Sequence, residues 1–525
     1  MTYGNDGRLP IIYVRGYAGS GAEKDSAVDD PFYGFSQGSV HVRANRSGRP
    51  QFHQFESPML RLVTDHEYQV PVYGDQRAFL HQARAGAVNS ATIWIHRFYD
   101  ESASTFGERP ADFSLEGAAR DLFMMIKLVL LKTGAPKVFL VAHSMGGLIC
   151  RAAIQRIIPE STAAEDGTIN PAAGAEYVAR FFTYATPHGG ILFAVGFGIP
   201  ERVRDLTGFL GADVFGPDRM YEYLTPGVGT NATAPAGFTG TAMPDDGFPV
   251  DRVFCLVGSN PDDYGVAHGL ASKSVGARSD GLVQIENAAV NNAHRAVIHR
   301  SHSGRYGIVN SEEGYQNLQR FLFGDLEIAV QFAGLDAGRD SSAQVEFQLD
   351  VGLAIRGLPV LMHEQSAAHY CPVLVERKQG RDSIDTPTPL FTTFLSSKAP
   401  RPMNGLEPVP TLRYAVKLRL LSIREDAGRF LLFDHLEQTE DWQDALLVDV
   451  EPADATASAQ VWSAWTSTVP TAVREWQPQE ADRVTDRDGT ARRWRGEVPV
   501  PEVARRLLGE TARIDLTVTP RSVPA

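Results

Sequence analysis

The chain has 525 residues, enough for about two to four domains and for a large core without disulfide staples. Hydrophobic residues make up 43 % and charged residues 22 %, which excludes wholesale disorder. The net charge of −13 argues against a nucleic-acid binder, and it divides into −6 through Asp325 and −7 after it, so charge names no partner.

The N-terminal ten residues are polar, without the charged and apolar regions of a signal peptide. The chain then alternates short apolar runs with helical patterns. Strands are expected at residues 11–14, 91–95, 137–141, 179–184, 252–257 and 296–298. These runs are continuous rather than alternating, as in parallel strands covered on both faces. Ser114 is placed to cap a helix running to Lys132, with Glu116 near its positive end and Gly134-Ala135-Pro136 to stop it. A second helix is expected from Gly146 to Ile158, stopped by Pro159, and a third from Glu312 to Phe323. Strand–helix alternation of this kind predicts an α/β fold with a mainly parallel sheet.

From Asp325 the texture changes. Residues 326–332, 344–349, 414–420 and 513–518 alternate apolar and polar with period two, which predicts an antiparallel sandwich or barrel with one short helix at 501–508. The Pro-rich stretch 397–410 reads as a long loop. Two domains are therefore expected: residues 1–324, enlarged by insertions at 32–77 and 191–249, and a mostly β domain at 325–525. Asp482, Asp486 and Asp488 with Gly489 lack the further ligands of a calcium loop and read as a hairpin turn. Trp462, Trp465 and Trp476 read as core.

Cys150, Cys255 and Cys371 each sit in an apolar run, which points to buried thiols rather than a disulfide framework or a zinc site and fits a reducing compartment. No run approaches the ~18 apolar residues of a transmembrane helix. A cytoplasmic location is expected, with a mature secreted chain as the alternative.

The strongest chemical signal is Val141-Ala142-His143-Ser144-Met145-Gly146-Gly147, between an expected strand and an expected helix. That is the context of a nucleophile elbow, in which small residues two positions either side of the nucleophile let the chain turn sharply. Here those are Ala142 and Gly146, an Ala-x-Ser-x-Gly variant. A Ser hydroxyl needs a base, and the base an orienting carboxylate, in the chain order Ser, acid, His. His302 is the favoured base, ahead of His299 and His294. Asp280, in Ser279-Asp280-Gly281, is the favoured acid, with Asp262 and Asp263 as alternatives. Two backbone N–H groups should hold the oxyanion: Met145, next after the nucleophile, and Tyr17, in the Gly-rich loop 15–21. That loop lacks the Lys-Ser/Thr of a phosphate-binding loop.

Together these residues resemble the α/β-hydrolase superfamily, and within it the lipases and esterases of the lecithin:cholesterol acyltransferase-like branch. The shared parts are the Gly-rich loop after the first strand, Ala-His-Ser-Met-Gly-Gly at the elbow, Ala185-Thr186-Pro187-His188-Gly189-Gly190, Gly258-Ser259-Asn260-Pro261, Ser279-Asp280-Gly281-Leu282-Val283, and His302 before the last helix. Arg15 and Ser279 depart from the residues usual there. The resemblance strengthens Asp280 as the acid, makes His188 structural, and implies an α/β-hydrolase fold. It implies a serine hydrolase acting on carboxylic esters through an acyl-enzyme, without cofactor or metal. Its substrate would be a small-molecule ester or a lipid, allowing transient contact with a lipid interface and none with nucleic acid. The insertion at 191–249 would form either a cap over the site or an ordinary excursion packed on the core, and that at 32–77 the opposite wall. Acyl transfer through the same intermediate, or a silent scaffold whose β domain docks an unknown partner, are the alternatives.

Overall fold

A computed structural model describes residues 7–16, 30, 32–44, 49–71, 75–98, 114–191, 212–262, 278–304, 306–335, 345–375, 387–397, 403–404, 407–408, 411–425, 436–453, 459–490 and 493–522. The chain divides into two compact units: Met1–Arg295, His299–Leu322 and Pro524–Ala525 in one, Ala296–Ile298 and Phe323–Val523 in the other.

The first sheet has six strands: β1 (Ile11–Val14), β2 (Ile93–His96), β3 (Val138–His143), β4 (Val178–Tyr184), β5 (Val253–Gly258) and β6 (His294–Ile298). Their order is β2-β1-β3-β4-β5-β6. The pairings of β1 with β2 and β3, of β3 with β4 and of β4 with β5 are parallel. Ile11 sits in register with both Ile93 and Phe139, and all four residues of β1 are buried. Helices cover such a sheet on both faces, which is why its strands carry apolar residues at every position rather than at every second one. This is the α/β fold with a mainly parallel sheet that the alternation predicts, and it agrees with the α/β-hydrolase fold that the resemblance implies. The strand order reverses at β1, and in open parallel sheets the crevice at such a reversal, beyond the carboxyl ends of the strands, is where ligands bind.

Helix α1 (Leu115–Thr133) begins where Ser114 accepts the Gly117 N–H and ends at Gly134, which takes the left-handed conformation at φ 70°. It buries Ala118, Leu122, Ile126 and Val129 along one stripe. Helix α2 (Met145–Ala152) differs from expectation at its end. Pro159 does not stop it: the chain passes through a wider π turn at Ala153–Ile157 and one further helical turn at Ile158–Ser161. Proline lacks an N–H, and the widened turn puts Pro159 in the first turn of the last segment, where no donor is required. Helix α3 (Pro217–Leu224) lies within the second insertion, and helix α4 (Glu312–Phe323) closes the unit.

In the first insertion, Ser39–Ala44 and Pro50–Phe55 form an antiparallel hairpin, followed by a helix at Pro58–His66. Phe35 stacks on Tyr13 of β1 at 4.2 Å and Phe55 faces Tyr315 of α4 at 6.3 Å, so both aromatics contribute to the core. Residues 192–211 of the second insertion lie outside the described residues. Its described part is tied to α2 and the π turn after it: the fully buried Arg151 of α2 donates to the carbonyls of Gly240 and Ala242, and Arg156 of the π turn to those of Glu222 and Val228.

The second unit is all-β apart from the helix at Glu502–Leu508, among the described residues, and some short 3₁₀ turns. One sheet runs in the order Leu361–Gln365, Val345–Ile355, Leu412–Glu425, Leu436–Glu451, Gln460–Trp465, and the other in the order Thr388–Leu395, Leu326–Ala333, Arg513–Pro520, Trp494–Pro499. Both are antiparallel. Ile328, Val330 and Leu516 of one sheet share a core with Val351, Val416, Leu418 and Val448 of the other, which makes the unit a sandwich. The Pro-rich stretch holds a two-residue ladder, Met403–Asn404 against Glu407–Pro408, rather than a plain loop. Asp486 accepts the N–H groups of Asp488 and Arg495, and Gly489 has φ 62°, as in a hairpin turn. Trp465 and Trp476 are buried, while Trp462 is partly accessible. All three cysteines are buried and none forms a disulfide.

Candidate active site

Ser144 follows the last residue of β3 and precedes the first of α2. Its backbone sits at φ 54°, ψ −131°, a region that side chains other than glycine rarely occupy. The strain is held from several sides. The Ser144 N–H donates to the Tyr184 carbonyl at 2.9 Å, and the Thr186 hydroxyl donates to the Ser144 carbonyl at 2.9 Å. Gly146 lies so close to the end of β1 that a Cβ there would come 2.3 Å from the carbonyls of both Val14 and Arg15. A Cβ on Gly16 would come 2.6 Å from that of Ser144. Sharp turn and close passage thus explain the small residues of this motif.

His302 Nε2 lies 2.9 Å from Ser144 Oγ, and His302 Nδ1 lies 2.9 Å from Asp280 Oδ2. All three residues are buried, His302 at 3 % and Asp280 at 1 % exposure. An ionised carboxylate only accepts, so Nδ1 carries the proton and Nε2 presents its lone pair to the Ser144 hydroxyl. The other oxygen, Asp280 Oδ1, accepts the N–H groups of Leu282 at 3.0 Å and Val283 at 2.8 Å, which fixes the carboxylate plane. Gly258 at the end of β5 makes room for this acid, since a Cβ there would come 2.8 Å from the Asp280 Cβ. Such a chain can move a proton from Ser144 to His302 as the hydroxyl attacks an electrophile.

The other candidates lie elsewhere. His299 Nδ1 meets Ser259 Oγ at 3.4 Å, and His294 Nε2 meets the Asp251 carbonyl at 3.0 Å. Asp262 donates its backbone N–H to Asn260 Oδ1 at 3.0 Å, and Asp263 is outside the described residues. His188 is fully buried beside Thr183 Oγ1 at 3.1 Å and Cys255 Sγ at 3.5 Å. Burial, reinforced by Arg151, holds its pKa well below the ordinary histidine range, so it is neutral. Met145 opens α2, and the N–H of a first-turn residue has no acceptor within its helix. Tyr17 lies outside the described residues.

Sequence reasoning passed over His143. Its Nε2 lies 2.9 Å from the main-chain carbonyl of His302. Burial first, then the neighbouring His302 and Arg15, push its pKa down to about 3. Among the described residues no cluster of His, Cys, Asp and Glu could hold a metal ion, and no helix is long and apolar enough to cross a membrane.

Residues 118–207 match the family described as "Putative serine esterase (DUF676)", a span that holds all but the first three residues of α1, together with β3, the Ser144 elbow and β4. The chain thus has the strand order of an α/β-hydrolase fold, and its central segment is similar to that family. Among solved structures it is similar to Bacillus licheniformis lipase BlEst2 in mature form, at 16 % identity over 58 % of this chain and 89 % of that one, with a TM-score of 0.27. It is also similar to the lin2722 gene product of Listeria innocua, at 12 % identity over 60 % and 94 % of the two chains, with a TM-score of 0.25. Aspergillus fumigatus lipase B follows at 11 % identity over 57 % and 45 %, with a TM-score of 0.23. At such scores the fold assignment rests on the strand order of the chain itself. No curated protein matches.

Proposed function

We propose that the protein hydrolyses carboxylic esters, of small-molecule or lipid type, through an acyl-enzyme on Ser144. The observation that carries this reading is the buried run from Ser144 Oγ through His302 to Asp280, 2.9 Å at each step. In it, His302 takes the Ser144 proton as Oγ attacks the ester carbonyl, and Asp280 keeps the imidazole in the required tautomer and stabilises its charge. The N–H groups of Met145 and Tyr17 hold the oxyanion. His302 then returns the proton to the departing alcohol. A water activated by the same imidazole releases the acid and restores Ser144. Residues 1–324 act as the catalytic domain and 325–525 as an accessory domain.

The test is turnover of p-nitrophenyl esters of increasing chain length. The wild type is expected to release a burst of p-nitrophenol stoichiometric with enzyme wherever deacylation is slow, and Ser144→Ala to release none. Equal turnover by both proteins contradicts the proposal.

A further inference from the structure

His302 sits in a short irregular segment rather than on a strand or helix, yet its imidazole must hold a fixed distance to Ser144 Oγ. Both ends of its own peptide frame are anchored. Its N–H donates to the Asp280 carbonyl at 2.9 Å, and its carbonyl meets His143 Nε2 at 2.9 Å. A carbonyl oxygen only accepts, so His143 is the donor and carries its proton on Nε2. His143 is the last residue of β3, in register with Tyr184 of β4, and its ring lies 5.1 Å from that of His302. The nucleophile follows it directly in the chain.

We propose that His143 is a positioning residue for His302. The proposal rests on the assignment of Ser144 and His302 as nucleophile and base. Through His143 one rigid strand end fixes both partners of the proton transfer: Ser144 by the peptide bond, and His302 by the Nε2–H···O=C bond. A base carried on a loop is thereby referred to the same frame as the nucleophile it serves. Misplacement of a reacting group by about 1 Å costs roughly 10²-fold in rate. Burial and the adjacent His302 keep the His143 ring neutral, so it adds no charge opposing the imidazolium that forms on His302.

The test compares three substitutions with soluble short-chain esters, reading kcat and KM separately. His143→Phe keeps a ring and loses the donor. It is expected to lower kcat by about 10- to 100-fold with KM changed less than about threefold, as for a group that acts in the transition state rather than in binding. His143→Gln carries an amide N–H to nearly the same point as Nε2 and is expected to restore kcat to within about fivefold of wild type. His143→Asn is too short to reach the carbonyl and should behave as the Phe variant, which keeps the test decisive if His143→Phe does not fold. Wild-type kcat in His143→Phe or His143→Asn, or a Gln variant no better than either, overturns the proposal. Ser144→Ala is measured alongside: full activity there overturns the nucleophile assignment and this proposal with it, whereas a dead Ser144→Ala beside an unimpaired His143→Phe overturns this proposal alone.

Discussion

Asp280 grips His302 twice: its Oδ2 lies 2.9 Å from the imidazole Nδ1, and its main-chain carbonyl accepts the His302 N–H at 2.9 Å. The second bond survives any change of side chain at 280. Asp280→Asn should therefore leave the loop in place while presenting the wrong group to Nδ1. The expected result is a fall in kcat of about 10⁴-fold with little change in thermal midpoint. Steady-state kinetics with a p-nitrophenyl ester, beside a melting curve, checks both halves.

Gly146→Ala should act on the fold. The new Cβ would lie 2.3 Å from two carbonyl oxygens at the end of β1, and neither is a flexible side-chain tip that could swing aside. Overpacking of this kind costs about 3 kcal/mol or more. Urea unfolding should register that loss, and the strained turn at Ser144 should relax with loss of ester turnover.

In the second unit, Asp449 is fully buried and accepts both Nε and Nη2 of Arg413 at 2.6 Å, while Trp476 lies 4.6 Å from the guanidinium. Arg413→Met strands a buried charge and should destabilise this unit by about 3–5 kcal/mol. The double change Arg413→Met with Asp449→Leu should recover most of that loss. Thermal unfolding followed by tryptophan fluorescence separates the two variants.

His143 also sets an acid-side stability limit. Its pKa in the folded protein is about 3, against 6.5 as the ordinary value, because burial, His302 and Arg15 all oppose protonation. Between those values the unfolded chain binds a proton that the native state refuses, so stability falls as pH drops through 6.5 and goes on falling toward 3. From pH 7 to pH 5 this single group should remove about 2 kcal/mol. His188, held neutral by burial, pushes in the same direction. Urea unfolding at the two pH values should show a pH-dependent loss that is about 2 kcal/mol smaller in His143→Gln than in wild type.

Much of the fold was legible because burial on both faces leaves a plain mark in sequence. The continuous runs at 11–14 and 179–184 are strands β1 and β4, and the alternating runs after Asp325 are the sandwich strands. Strand ends were less legible, since β2 and β3 both finish on a histidine, His96 and His143, where apolarity stops before the ladder does. Pro159 misled because a π turn upstream removes the need for its missing donor. At the site, the elbow was readable from the small residues that its sharp turn requires. The choice among Asp280, Asp262 and Asp263 was not readable from spacing, because a loop carboxylate has no periodicity. Gly258 was the steric hint, as its missing Cβ leaves room for Asp280. His143 could not be found from sequence, because its acceptor is a main-chain carbonyl that 159 residues of chain bring back to it.

Activation of Ser144 as a nucleophile by His302 is tested by labelling with a fluorophosphonate probe, followed by mass spectrometry of the labelled peptide. One adduct per chain is expected, on Ser144, absent in Ser144→Ala and strongly slowed in His302→Ala. Labelling of wild type and Ser144→Ala to the same extent would contradict it.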